Sequence, residues 1–93
     1  MRLREDDQQA VRDVVAEADP QAEVFLFGSR ARDQERGGDI DLLIMSVAIG
    51  PQERRRMKLR LMDRLGERKI DLLVARDAAQ PLVRIARAEG VRL

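Results

Sequence analysis

An α/β (α+β) fold, with helices packed on a small mixed sheet of three to four strands, is predicted by three features of this 93-residue chain. Ile40-Asp41-Leu42-Leu43-Ile44 recurs as Ile70-Asp71-Leu72-Leu73-Val74, and the stretch between the copies, Gln52 to Leu65, has helical periodicity. Strand, helix, strand is the crossover unit that joins two parallel strands of one sheet in the right-handed sense. An earlier apolar run, Glu23 to Phe27, supplies a further strand, and amphipathic helices stand at both ends of the chain. The length suits one domain, residues 1–93, with a limited core.

The first helix spans Asp7 to Ala18, where Ala10, Val11, Val14, Val15 and Ala18 recur at spacings of three and four. Asp6 or Asp7 caps its start, and Asp19-Pro20 ends it because the residue before proline avoids the helical region. Acids in a first turn complement the helix dipole, so Asp6, Asp7 and Asp13 are read as structural. In the first strand Val24 and Leu26 point to one side, Phe25 and Phe27 to the other, so both faces are covered. Those two phenylalanines are the only aromatics in the chain and are read as core. A base pocket here would therefore rest on aliphatic and backbone contacts.

After the second strand, Val47 to Pro51 forms a loop, and Pro51 suits the first turn of the next helix. Met57, Leu61, Met62 and Leu65 are its predicted buried stripe, and Gly66 stops it. The same helix carries Arg54-Arg55-Arg56, Lys58 and Arg60. That run is a solvated face, a docking surface for an acidic partner or RNA, or the source of one triphosphate contact. A third strand, Lys69 to Val74, leads to a last helix from Ala79 to Glu89, with Pro81 in its first turn and Leu82, Val83, Ile85 and Ala86 as apolar residues. Gly90 ends that helix, and Val91-Arg92-Leu93 is either a short edge strand or a contact with another chain.

Composition removes several kinds of chemistry. There is no cysteine, hence no disulfide, zinc-thiolate site or thiol nucleophile, and no histidine, the commonest general base and transition-metal ligand. Lys plus Arg is 18 against 17 for Asp plus Glu, so no global field draws nucleic acid or an anionic membrane. No apolar run has the length of a membrane helix, and Met1-Arg2-Leu3-Arg4 leads into acids rather than a signal-peptide core, so a cytoplasmic protein is expected.

The chemistry concentrates where Phe25-Leu26-Phe27 runs into Gly28-Ser29-Arg30, and where Gly37-Gly38-Asp39-Ile40-Asp41 opens the next strand. Alternation puts Asp39 and Asp41 on one face of that strand, about 6.6 Å apart along it. If the two copies of the repeat are neighbours in register, Asp71 lies beside Asp41. Three such carboxylates repel one another unless a cation sits among them, and Mg²⁺ takes oxygen ligands, filling its shell with water and substrate phosphates. Two such ions about 3.5–4 Å apart clamp the attacking and leaving oxygens of a phosphoryl displacement. Gly28 permits close backbone approach, Ser29 can cap a following helix, and Arg30 can add charge-assisted hydrogen bonds to the same phosphates.

Gly28-Ser29-Arg30-Ala31, then Asp39-Ile40-Asp41-Leu42-Leu43, then the distal Asp71, resembles the DNA polymerase beta-like nucleotidyltransferase superfamily over roughly residues 8 to 75. In size it looks most like the minimal nucleotidyltransferases. The resemblance implies a nucleotidyltransferase-like fold in which Gly28 and Ser29 hold the triphosphate of an NTP, with Arg30 beside them. Asp39 and Asp41 would bind two Mg²⁺ ions, and Asp71 would help bind metal and activate the acceptor hydroxyl. Asp33 departs from the pattern: family members often carry glycine there, and its charge falls near the triphosphate path.

The resemblance further implies transfer of AMP from ATP to a hydroxyl of a partner protein. Minimal relatives are paired with a helical protein of the HEPN type as antitoxin and toxin, and adenylylation of a tyrosine on that partner neutralises its ribonuclease activity. Association with a further copy of the chain is compatible with this; membrane binding is not expected. A second reading, from another class, is a catalytically weak or inactive binding module that neutralises its partner by complex formation. A third, transfer to a small-molecule hydroxyl, needs a pocket that 93 residues hardly provide.

Overall fold

The computed structural model describes residues 3–27, 40–66 and 68–93. Among these the element order is α1 (Glu5–Ala18), β1 (Glu23–Phe27), β2 (Ile40–Met45), α2 (Pro51–Leu65), β3 (Ile70–Ala75), α3 (Pro81–Glu89) and β4 (Val91–Arg92). The strands form one mixed sheet in the order β3-β2-β1-β4. β1 is antiparallel to both β2 and β4, while β2 and β3 are parallel and joined through α2. The α+β architecture and the crossover read from the repeat are both present.

Strand alternation sorts the core into two layers. Val24, Leu26, Ile40, Leu42, Ile44, Ile70 and Leu72 pack against Val11, Val14 and Val15 of α1 and Met57, Leu61 and Leu65 of α2. On the other face Phe25 and Leu43 meet Val83 and Ala86 of α3. β2 lies in the middle of this sandwich, and Leu42, Leu43 and Ile44 have no solvent exposure.

α1 begins two residues earlier than the periodicity indicates, and neither Asp6 nor Asp7 caps it. Arg4 is the N-cap and makes no side-chain capping bond, while Glu5, Asp6 and Asp7 fill the first turn. Leu3 is buried ahead of the helix, and the Gln8 amide donates to its carbonyl at 2.8 Å, which draws the chain into the helix without a capping side chain. α1 and α2 run antiparallel, linked by ion pairs of Glu17 with Arg60, Asp13 with Arg64 at 3.6 Å and, just past α2, Asp7 with Arg68 at 3.2 Å.

Pro51 opens α2 as predicted, and the Gly50 N–H donates to Glu53 Oε1 at 3.0 Å, so one orphan donor is met by the first turn itself. The buried stripe needs one correction. Met57, Leu61 and Leu65 are buried, but Met62 stands about 100° round the helix from Leu61 and is 44% exposed. Gly66 ends the helix at φ +89, a conformation that a side chain would strain.

β3 starts at Ile70 rather than Lys69 and runs through Ala75. α3 starts at Pro81 rather than Ala79, because the Ala79 N–H is held by Asp77 Oδ1 at 3.0 Å in a turn that precedes the helix. Val83 and Ala86 are buried, whereas Leu82 and Ile85 are more than half exposed. β4 settles the open reading of the tail: Arg92 and Val91 pair with Phe25 and Leu26, so it is an edge strand. Gly90 makes the turn into it, where a Cβ would lie 2.5 Å from the Ala86 carbonyl and 2.9 Å from that of Leu26.

Candidate active site

The repeated Ile-Asp-Leu-Leu segments are not merely similar; they pair residue for residue. Ile40 lies opposite Ile70, Asp41 opposite Asp71, and Leu42 opposite Leu72. Hydrophobic burial fixes this register, since a slip of one residue would turn one of the aspartates into the α1/α2 core. Adjacent strands are about 4.8 Å apart, so the two carboxylates leave the sheet as direct neighbours on the α3 face. Asp71 is exposed and Asp41 half-buried.

Both acids sit at the second residue of their strands, on the sheet edge where β2 and β3 begin. β1 ends at that same edge, with Phe27 opposite Asp41. In the sequence Gly28-Ser29-Arg30 follow Phe27 directly and Asp39 directly precedes Ile40, so the expected motif adjoins the ends of both strands. Gly28, Ser29, Arg30, Asp33 and Asp39 lie outside the described residues. Of the six expected site residues the structure thus describes two, Asp41 and Asp71, and brings them together.

The family described as Polymerase beta, Nucleotidyltransferase matches residues 9–93, nearly the whole chain. The chain belongs to this family. The match reaches past the region that carries the motif resemblance and takes in α3 and β4 as parts of the nucleotidyltransferase domain. No curated protein matches the chain.

Within this nucleotidyltransferase domain, α3 packs over β1 and β2. Phe25 lies beneath it, 7% exposed, with the guanidinium groups of Arg87 and Arg92 at 5.8 and 5.9 Å from its ring centroid. Both arginines also pair with Glu23, at 3.4 and 3.7 Å. Phe25 is therefore a core residue closed off by cations. Half-buried Phe27, whose register partner is Asp41, is the aromatic nearer the acidic edge.

One polar cluster was not visible in the sequence. Ser46, 5% exposed at the far end of β2, donates its hydroxyl proton to Asp19 Oδ2 at 2.6 Å and accepts from the N–H groups of Ala48 and Ile49 at 3.0 and 3.1 Å. The Ser46 hydroxyl, and after it the Gln21 N–H, holds the Asp19 carboxyl below its ordinary value. The cluster joins the end of α1 to the β2–α2 loop, at the edge opposite the acids, so its role is to hold the scaffold. Among the described residues no group of three His, Cys, Asp or Glu side chains is close enough to hold a metal, and the third expected acid, Asp39, is outside them.

Proposed function

We propose that this nucleotidyltransferase moves a nucleoside monophosphate, AMP from ATP, onto a hydroxyl of a partner protein in a Mg²⁺-dependent reaction. We place it among the minimal nucleotidyltransferases, as the antitoxin of a pair whose toxin is a helical HEPN-type protein. The observation that carries the proposal is the register of Asp41 with Asp71, at the edge where β1 hands the chain to Gly28 and Ser29.

Two neighbouring carboxylates offer the hard oxygen donors that Mg²⁺ takes, and a third from Asp39 would complete the set. Two bound Mg²⁺ ions would neutralise phosphate charge and polarise the acceptor hydroxyl. Gly28, Ser29 and Arg30 hold the triphosphate, with the α-phosphorus turned toward the acids. The acceptor oxygen attacks that phosphorus as the bond to the bridging oxygen breaks, and pyrophosphate leaves with the electron pair. Asp71 serves as metal ligand or base; in a chain without histidine a carboxylate is the side chain suited to receive the hydroxyl proton.

The test is incubation of the chain with α-labelled ATP, Mg²⁺ and the product of the neighbouring gene. Label on the partner, lost with Asp41→Asn, supports transfer. A tight complex that carries no label supports instead the second reading, a binding module that neutralises its partner by masking it. Transfer that survives Asp41→Asn would overturn the assignment of the acids.

A further inference from the structure

We propose that the outer flank of α2 is a docking groove for an acidic amphipathic helix of a partner protein. A groove of about 370 Å³ runs along this flank, lined by Pro51, Arg54, Arg55, Lys58, Leu59 and Met62. Leu59 is 60% and Met62 44% exposed, on a helix whose opposite side is fully buried. Arg55 and Lys58 precede Leu59 and Met62 by one turn each, so a cationic row and an apolar row lie next to each other.

The fold accounts for some of the basic residues of α2 but not for these. Arg54 donates from Nε and Nη2 to the Leu72 carbonyl, at 3.3 and 2.9 Å. Arg60 and Arg64 pair with acids of α1. Among the described residues no ion pair involves Arg55, Arg56 or Lys58. Arg55 and Lys58 also stand three residues apart on one helix face, where like charges repel, so their pairing runs against local stability. Such a conflict marks a surface kept for something else.

An apolar centre rimmed by charge is the anatomy of a protein interface, and a helix laid in a groove is a recurring way to fill one. Pro51 to Met62 extends about 16 Å, three helical turns. The occupant that fits has apolar residues at spacings of three and four and carboxylates one turn away, facing Arg55 and Lys58. RNA fits less well: the groove holds no aromatic for bases to stack on, and both phenylalanines project from the other face of the sheet. The groove lies on the side of the sheet away from Asp41 and Asp71, and its use does not depend on catalysis.

Fluorescence anisotropy with designed helical peptides tests the proposal. The probe carries Leu on one face and Glu along its flank; the controls are a scrambled peptide of the same composition, a peptide with Lys in place of Glu, and a single-stranded RNA oligonucleotide. The Leu/Glu probe is expected to bind and to shift the Met62 methyl resonance in the unaltered protein. Leu59→Ser with Met62→Ser, and separately Arg55→Glu with Lys58→Glu, should each weaken it about tenfold, and the charge-reversed variant should gain the Lys peptide. Equal binding of the scrambled peptide, preference for RNA, or an unmoved Met62 methyl would overturn the proposal.

Discussion

Asp41 and Asp71 occupy equivalent places in two copies of one short segment, and their adjacency has a cost as well as a use. Like charges opposed on neighbouring strands disfavour the sheet, so Asp71→Asn should raise Tm in chelator by roughly 1–5 °C. The same substitution should lower transfer about 10²–10⁴-fold if Asp71 takes the proton. Thermal melts and initial rates on one preparation check both; a fall in Tm would show that the pair supports the fold. At the other edge, Ser46→Ala should lower Tm by roughly 4–8 °C, since it leaves two loop N–H groups without their acceptor and takes from Asp19 the stronger of its two hydrogen bonds. The Ser46 hydroxyl, and after it the Gln21 N–H, lowers the Asp19 pKa in the folded protein, so the contribution of Asp19 is present above the ordinary aspartate range and is lost as pH falls through the lower folded value. The gap in urea midpoint between wild type and Ser46→Ala should therefore narrow in strong acid and stay constant from pH 5 to 8.

At the scale of elements, the sequence showed what is periodic and local. The five strand positions repeated between β2 and β3 made an in-register pairing legible, since a slip of one residue would turn an aspartate into the core, while the structure shows that the two strands are neighbours. Met62, Leu82 and Ile85 were less legible, since an apolar residue at the margin of a helical stripe can turn either way and tertiary packing decides. The Ser46–Asp19 bond spans 27 residues and has no periodic trace. The ion pairs between α1 and α2 did leave one: Arg60, Arg64 and Arg68 step by four, as do Asp13 and Glu17, but their facing depends on the antiparallel packing of the helices. Gly28, Ser29, Arg30 and Asp39 stand on the sequence motif alone. Packing should outweigh charge in these helices. Leu61→Ala, at a site with no exposure, should cost about 2–5 kcal/mol in urea denaturation, whereas Glu17→Gln, in an exposed pair, should cost under about 1 kcal/mol.

On the scale of the whole molecule, the sheet order puts the strand that bears Asp41 at the centre and the one that bears Asp71 at an edge. The outward Leu72 carbonyl on that edge is occupied by Arg54, a side chain standing where a further strand would pair. The opposite edge is closed differently, by β4, which is two residues long and is extended by the Leu93 N–H on the Val24 carbonyl at 2.9 Å. Its placement depends on Gly90, whose α-carbon has two carbonyl oxygens at its back. A methyl group there would push the tail off and bare the backbone of β1, an apolar strand ready to stitch one molecule to the next. Gly90→Ala should thus show itself first in light scattering rather than in turnover, as a solution that polymerises on standing while its individual molecules still fold.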